Sequence, residues 1–254
     1  MKGLIQMDMV ALTALGVGGA TLIGALIGFA IGKVPHKFND AILGFAAGVM
    51  LAASFAGLIQ PAIDTGGVWI AAIGLFAGAF FLNLMDKFTP HLHQLTGVER
   101  EEHRNNASLQ KVLLFVIAIA MHNLPEGVAA GVSFGTEDTS AALTVAAGIA
   151  LQNIPEGMII IGPLLTAGVS RRRTLLIASA TGLVEVVGTF LGYAAVHAVS
   201  ALLPFALAFA GGTMLYVISD EMIPETHAHG YERMATYSLL AGLAVMLILD
   251  YYIG

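Results

Sequence analysis

Two short motifs carry side chains that could bind a metal ion. The first, HNLPEG, runs from His122 to Gly127, and the second, QNIPEG, runs from Gln152 to Gly157. In each motif the first and second residues lie four and three positions before the glutamate, so the three side chains share one face of a helix. Imidazole, carboxylate and amide ligands without thiolate suit a borderline or hard divalent ion such as zinc, iron or manganese. The ligand types by themselves leave the choice among these ions open.

Each motif also contains a proline and ends in a glycine. A proline inside a helix removes one backbone hydrogen bond and crowds the carbonyl four residues back, so Pro125 and Pro155 predict irregular backbone at the motifs. Irregular backbone at membrane depth is tolerated only beside protein or a polar cavity. Gly127 and Gly157 predict close contact with a neighbouring helix.

The composition places these motifs in a membrane protein. Hydrophobic residues make up 57% of the chain and charged residues 11%, whereas a soluble domain has about 45–50% and about 25%. The formal charge of −6 is scattered along the chain, which argues against a nucleic-acid surface. The absence of cysteine excludes disulfides and thiolate metal sites. The first apolar segment is long enough to cross a bilayer, so we interpret it as a membrane helix rather than a cleaved signal peptide.

Eight segments could cross the membrane. A helix needs about 20 apolar residues to do so. Segments of this length lie at about 8–31, 40–63, 68–88, 109–134, 140–168, 174–199, 203–226 and 231–253. We therefore predict an all-α polytopic membrane protein whose residues 1–254 form a single domain. The longest connection, KFTPHLHQLTGVEREEHRNN, carries His91, His93 and His103.

The basic residues predict the orientation. Of the 11 Lys and Arg residues, all except Lys2 lie in or beside the connections on one side of the predicted membrane: Lys33, Lys37, Lys87, Arg100, Arg104, Lys111, Arg171, Arg172, Arg173 and Arg233. Arg171, Arg172 and Arg173 are predicted to form the loop between spans five and six. Because cytoplasmic loops carry an excess of Lys and Arg, we expect these connections to be cytoplasmic and both termini to be outside.

The acidic residues inside the spans have no basic partner there. Spans four to seven contain Glu126, Glu156, Glu185, Asp220 and Glu221, and the chain has no Lys or Arg between residues 112 and 170 or between residues 174 and 232. A carboxylate at the centre of a span costs about 2.5–3.5 kcal/mol on insertion scales. These groups must therefore hold protons or a cation supplied from elsewhere.

Simpler interpretations remain open for several of these residues. Glu185 alone could be an acid that packs helices together, and Asp220 with Glu221 could form a second site or a helix end that reaches water. The interfacial position of Asp64 and Asp250 favours solvent contact over metal binding. His227 and His229 could collect metal at the cytoplasmic mouth or belong to a solvated loop. We expect no specific role for His36 and His197.

Taken together, the paired motifs, the acid in span six, the eight spans and the histidine-bearing 3–4 connection resemble the ZIP (Zrt/Irt-like) family of divalent metal transporters, bacterial branch. The resemblance covers essentially the whole chain. It implies two repeats of three helices, spans 1–3 and 6–8, around the central pair 4–5, often in a homodimer. It also implies a multi-pass protein of the cell (inner) membrane that moves metal, zinc first with cadmium, iron and manganese as alternatives, toward the cytoplasm.

The resemblance further implies a centre for two metal ions at the membrane midplane. One ion would bind His122, Glu126, Gln152 and Glu156, and its neighbour would bind Asn123, Glu126, Asn153, Glu156 and Glu185. The metal would pass Met50 and Asp64 on span two and Asp220, Glu221 and Asp250 on spans seven and eight. Many relatives carry His where this chain has Gln152 or Asp220, and some carry Asp where it has Asn153. Spans one, four, five and six are expected to move against the other four.

Two other functions use similar residues. An intramembrane metallohydrolase would also bury His and Glu ligands, but this chain has HNxxE in place of HExxH. A proton- or sodium-coupled carrier of an organic solute would use the carboxylates to cycle protons. Whether metal would pass by alternating access or through a channel is open at this stage.

Overall fold

The structure, a computed structural model, describes residues 2–32, 34–95, 106–136 and 138–254. Within these residues every regular element is a helix, and none is a strand. Seven helical stretches in this part of the chain are long and apolar enough to cross a membrane. Helix α5, with 28 residues, is an eighth long helix. The predicted all-α membrane fold is therefore confirmed.

The eight predicted spans correspond to ten α-helices, because two spans are interrupted. The helices are α1 Lys2–Ile31, α2 His36–Ser54, α3 Gln60–Gly66, α4 Val68–Leu95, α5 Asn106–Ser133, α6 Thr139–Thr166, α7 Arg171–Ala198, α8 Leu203–Val217, α9 Ile223–Thr226 and α10 Glu232–Ile253. A π-helical turn, Phe55–Ile59, joins α2 to α3, and a second one, Ile218–Met222, joins α8 to α9. Spans two and seven therefore run on without a loop.

Local sequence explains where several helices begin and end. Asp138 caps α6, because its carboxylate accepts hydrogen bonds from the backbone N–H groups of Ser140 and Ala141. Gly67 and Gly168 adopt positive φ angles of 82° and 83° where the chain turns after α3 and α6. Glycine takes this conformation without the steric cost that a side chain would bring.

The long helices pack in two groups of four spans. The first helix group contains α1, α5, α6 and α7, with α5 lying against α7 and α6 lying against α1. The second helix group contains α2 with α3, α4, α8 with α9, and α10, with α2 lying against α10 and α4 lying against α8. The two groups meet mainly where α2 contacts α6 and where α8 contacts α5.

Glycines bring backbones together within each group. A methyl added at Gly127 would overlap the backbone carbonyl of Glu185, and one added at Gly157 would overlap that of Thr21. In the second group, a methyl at Gly48 would overlap the carbonyl of Leu239. The predicted role of Gly127 and Gly157 in close packing is thus confirmed.

Between the groups, glycines face side chains instead. Gly57 lies in the π-helical turn of span two, and its nearest neighbours are side-chain atoms of Val145 on α6. Gly148 on α6 faces the thioether of Met246 on α10. Side chains can change rotamer, whereas a backbone in van der Waals contact cannot move without the whole helix. The contact between the two groups is therefore the more adaptable one.

Three expectations about local structure were wrong. The helices α5 and α6 continue through Pro125 and Pro155, and the irregular backbone lies in the π-helical turns of spans two and seven. Arg171, Arg172 and Arg173 form the first turn of α7 rather than a loop, because Ser170 ends the connection in an extended conformation. His91 and His93 lie on α4, which extends to Leu95, since a helix can continue beyond the apolar length that spans the bilayer.

Candidate metal centre

The two motifs meet between α5 and α6. The side-chain amide of Gln152 donates a hydrogen bond of 2.8 Å from Nε2 to Oε1 of Glu126. Both side chains are buried. Glu156 is partly exposed, and it lies within electrostatic reach of Glu126, His122 and Glu221. The carboxylate of Glu126 is therefore buried, and that of Glu156 lies near it at the edge of the interior.

Glu185 of α7 is fully buried and accepts hydrogen bonds from three helices. Asn123 of α5 donates to Oε1 over 2.5 Å, and Thr21 of α1 donates to the same oxygen over 2.7 Å. Asn153 of α6 donates to Oε2. The same two amide groups also donate to backbone carbonyls, of Thr181 for Asn123 and of Val17 for Asn153. Glu185 thus joins all four helices of the first group.

His122 contacts the second helix group. Its Nε2 lies 2.8 Å from Oε1 of Glu221, which belongs to the π-helical turn between α8 and α9. The His122 side chain is 9% exposed, whereas that of Glu221 is 36% exposed. This contact therefore lies where the buried centre opens toward solvent.

Among the residues that the structure describes, four buried oxygen atoms around the centre have no hydrogen-bond partner. They are Oε2 of Glu126, Oε1 of Gln152, Oδ1 of Asn123 and Oδ1 of Asn153. All four are acceptors, and a buried acceptor without a donor costs about 1–3 kcal/mol. A cation can satisfy several such oxygens at once, which a single hydrogen-bond donor cannot.

The residues implied for the two metal ions are close together but are engaged with one another. Among the described residues, no three His, Asp or Glu side chains are arranged so that they could enclose a metal ion. His122 is turned toward Glu221, and Glu185 is surrounded by donors. Binding would therefore require these side chains to exchange partners.

Of the other residues expected on the pathway, Glu221 contacts the centre through His122. Met50 is buried in the apolar core. Asp64 is exposed and accepts a hydrogen bond of 2.9 Å from Gln60. Asp220 is exposed, and Asp250 is partly exposed near the end of α10.

The loop histidines have mixed positions. Nδ1 of His227 lies 2.8 Å from the backbone oxygen of Ile223, and Nδ1 of His229 lies 3.0 Å from Oδ1 of Asp40. The side chains of His91 and His93, and the whole of His103, lie outside the residues that the structure describes.

Sequence reasoning missed two buried polar residues. Thr21 reaches Glu185 although 164 positions separate them, and no local pattern indicates this contact. Asp40 is fully buried at the beginning of α2. An acid next to the amphipathic start of a span was the available signal, but such residues usually reach the membrane surface.

Comparisons with known proteins agree with this architecture. A family model described as ZIP Zinc transporter matches residues 93–250. The chain is 40% identical to a protein of Bordetella bronchiseptica named zinc transporter ZIPB, over 92% of this chain and 78% of that protein. It is 39% identical to zinc transporter GufA of Myxococcus xanthus, over 93% and 96%. It is 30% identical to zinc transporter ZIP11 of Homo sapiens, over 93% and 94%.

Proposed function

The chain belongs to the ZIP family of zinc transporters, and from that premise we propose that it carries a divalent metal ion across the cell (inner) membrane. Zinc is the first candidate for this ion, and cadmium, iron and manganese are the alternatives. The ion would bind between α5, α6 and α7. Family membership places the chain among transporters rather than enzymes, so the metallohydrolase alternative is set aside.

One observation carries the proposal. Glu126 and Glu185 are buried carboxylates, and the chain has no Lys or Arg between residues 112 and 170 or between residues 174 and 232. In the described part of the chain, Oε2 of Glu126 and three buried amide oxygens around these carboxylates lack a donor. A divalent cation supplies the missing positive charge and satisfies the oxygens together, and carboxylate, amide and imidazole ligands suit zinc.

The first metal ion would bind His122, Glu126, Gln152 and Glu156. Among the described residues, Oε2 of Glu126 and Oε1 of Gln152 are the buried oxygens of this set that have no hydrogen-bond partner. The ion must compete with Glu221 for Nε2 of His122. Metal entry would thus break a contact between the two helix groups, which couples binding to their relative position.

A second ion would bind Asn123, Asn153 and Glu185, with Glu126 and Glu156 bridging both ions. The unpartnered Oδ1 atoms of Asn123 and Asn153 favour this arrangement. Because both amides donate to Glu185, binding there would have to turn Glu185 or its donors. We therefore expect the second position to bind metal more weakly than the first.

The direction of movement would be toward the cytoplasm, with both termini outside. The distribution of basic residues supports this orientation, and the resemblance to the family supports a single domain with a 3+2+3 arrangement. Asp64 and Asp250 would lie on the outer side of the pathway, Met50 near its middle, and Asp220 with Glu221 on the inner side. His91, His93, His227 and His229 would lie near the inner mouth, and the protein would form a homodimer.

Movement of the first helix group against the second would open the site to each side in turn. The glycine contacts support this proposal, because they join backbones within the groups and meet side chains between them. Glu185 and its three donors would keep the moving group together.

Loss of either central carboxylate tests the proposal. We expect Glu126→Ala and Glu156→Ala to abolish zinc uptake into proteoliposomes, because each removes a ligand and a negative charge. The matched control is Glu225→Ala, which changes an exposed carboxylate on α9 and should transport at the parent rate. Uptake at the parent rate by a folded Glu126→Ala or Glu156→Ala variant would contradict the assignment, and zinc-independent solute uptake would favour an organic-solute carrier.

A further inference from the structure

Helix α1 reaches the centre through Thr21, although residues 9–32 contain no Asp, Glu, His, Lys or Arg. The hydroxyl of Thr21 donates a hydrogen bond of 2.7 Å to Oε1 of Glu185, and both side chains are buried. The same oxygen also accepts a hydrogen bond from Asn123. Because a carboxylate oxygen offers about two lone pairs, these two donors fill Oε1. A cation therefore reaches this oxygen only when one donor leaves.

Serine and threonine hydroxyls within helices often donate to a carbonyl of their own helix. In this protein Ser54, Ser179 and Thr189 each donate over 2.7–2.9 Å to the carbonyl four residues earlier. The equivalent carbonyl for Thr21 is that of Val17. Because a helical threonine can rotate about its Cα–Cβ bond to reach this carbonyl, Thr21 has an alternative acceptor within α1.

Close packing fixes the backbone of Thr21 but leaves its side chain to rotate. A methyl added at Gly157 of α6 would overlap the carbonyl of Thr21, and one added at Gly182 of α7 would lie 3.4 Å from its Cβ. Helices in such close contact do not shift independently of each other. Side-chain rotation is therefore the change by which Thr21 releases Glu185 without moving α1.

The carbonyl of Val17 connects this rotation to a second donor. It accepts a hydrogen bond of 3.2 Å from Nδ2 of Asn153, and the same amide group donates to Oε2 of Glu185. A Thr21 hydroxyl that turns to Val17 competes with Asn153 for this acceptor. Release of Glu185 by Thr21 therefore affects the donors of both carboxylate oxygens.

We propose that Thr21 is a positioning residue for the transported ion: its hydroxyl holds Glu185 when the centre is empty and turns to the carbonyl of Val17 when zinc binds Glu185. This inference rests on the zinc transport proposed above. Asn123 and Asn153 also carry unpartnered oxygens that face the ion, whereas Thr21 acts only by competing for Glu185. The hydroxyl therefore weakens zinc binding and speeds release, which transport requires because a tightly held ion leaves slowly.

Zinc uptake by Thr21→Val measures the effect of the hydroxyl, because valine keeps the branched shape of threonine without the donor. The full chain is assayed in proteoliposomes at about pH 8, where protons compete least for carboxylates. We expect the KM for zinc to fall about threefold to tenfold and the maximal rate to fall as well, because the ion leaves more slowly. Thr21→Ser keeps the hydroxyl and should have the parent KM and maximal rate.

Thr13→Val is the matched control. Thr13 is a buried threonine on α1, about two turns before Thr21, and its variant should keep the parent KM and maximal rate. Melting temperatures of both valine variants separate positioning from packing. A packing defect lowers the melting temperature and the maximal rate without lowering the KM. If Thr21→Val does not fold, Thr21→Ala removes the same hydroxyl and should lower the KM in the same direction.

A KM that is not lowered when the hydroxyl is removed would overturn the inference. An equal KM would mean that the hydroxyl only packs, and a higher KM would mean that it binds the ion itself. Glu126→Ala, assayed in parallel, separates this failure from failure of the proposed function. If Glu126→Ala abolishes uptake while Thr21→Val keeps the parent KM, only the role of Thr21 is wrong. If Glu126→Ala transports zinc at the parent rate, the proposed central site is wrong.

Discussion

At the scale of single residues, the centre is defined by which donor faces which carboxylate. Glu185 receives three hydrogen bonds from Thr21, Asn123 and Asn153, while Glu126 receives one from Gln152 and keeps one oxygen unpartnered. Glu126 therefore has more to gain from a cation than Glu185.

Replacing Asn153 by aspartate should make the thermal stability of the protein depend more strongly on bound metal. Asn153→Asp removes a donor to Glu185 and places a second carboxylate beside it, so like charges repel when no cation is present. We expect the melting temperature without zinc to fall by several degrees and the stabilisation by zinc to increase. Thermal unfolding in detergent, with and without zinc, measures both effects.

Asn153→Ala is the matched control for this prediction. It removes the same donor without adding charge, so it should lower the melting temperature but leave the response to zinc no larger than that of the parent. If both variants respond to zinc equally, the added carboxylate does not contact metal.

Removing Glu221 should strengthen metal binding at the centre. The contact between Nε2 of His122 and Glu221 competes with metal, and a partly exposed pair of this kind contributes about 0.2–1 kcal/mol. Glu221→Ala should therefore lower the dissociation constant for zinc by up to about fivefold, measured by calorimetry. Glu225→Ala should have no effect, and weaker binding in Glu221→Ala would show that Glu221 is itself a ligand.

At the scale of helices, spans two and seven share an unusual construction. Each contains a five-residue π-helical turn, Phe55–Ile59 or Ile218–Met222. In both spans one residue separates the turn from a proline, Pro61 or Pro224. The proline has no N–H to donate, and π-helical turns occur frequently at functional sites. In span seven the turn presents Glu221 to His122, so the irregular backbone places a charged side chain at the boundary between the helix groups.

The glycine contacts predict how helix α6 tolerates an added methyl. Gly157→Ala should abolish uptake and destabilise the protein, because the methyl would overlap the backbone carbonyl of Thr21. Gly162→Ala is the matched control on the same helix, where no atom lies within 4 Å of the added methyl. It should preserve uptake and stabilise the helix by about 0.5–1 kcal/mol. Proteoliposome uptake and thermal unfolding of both variants check this, and an active Gly157→Ala protein would refute the proposed contact.

At the scale of the whole molecule, the two helix groups are the units whose relative position matters. Glu185 joins the helices of the first group, and close backbone contacts join helices within each group. Across the boundary lie the contact of His122 with Glu221 and the side-chain packing of Gly57 and Gly148. Rigid units with an adaptable boundary are suited to movement as bodies.

A disulfide across this boundary should stop transport. The chain has no cysteine, and a Cβ built at Gly57 lies 3.6 Å from that of Val145, within the range that a disulfide requires. We expect oxidation of the Gly57→Cys, Val145→Cys variant to abolish zinc uptake and reduction to restore it. Each single cysteine variant should be insensitive to oxidation. Full uptake by the cross-linked protein would exclude relative movement of span two and α6 at this turn as part of the cycle.

The sequence by itself determined the membrane-spanning helices and the residues of the central motifs. Both follow from local properties: the length of each apolar segment, the spacing within HNLPEG and QNIPEG, and the absence of Lys and Arg near the acids. The family also followed from these motifs and is confirmed by the comparisons.

Only the tertiary structure decided which partners these side chains have. Thr21 and Glu185 are 164 positions apart, and Asp40 and His229 are 189 positions apart, so no local spacing could pair them. The irregular backbone lies in the π-helical turns of spans two and seven and not at Pro125 and Pro155, where it was expected. The reason is that neighbouring helices determine whether a proline interrupts a helix. Which side chains contact each other depends on how helices that are distant in sequence pack together. The apolar pattern of a membrane span shows that the segment lies in the bilayer, but it does not show which helices lie next to it.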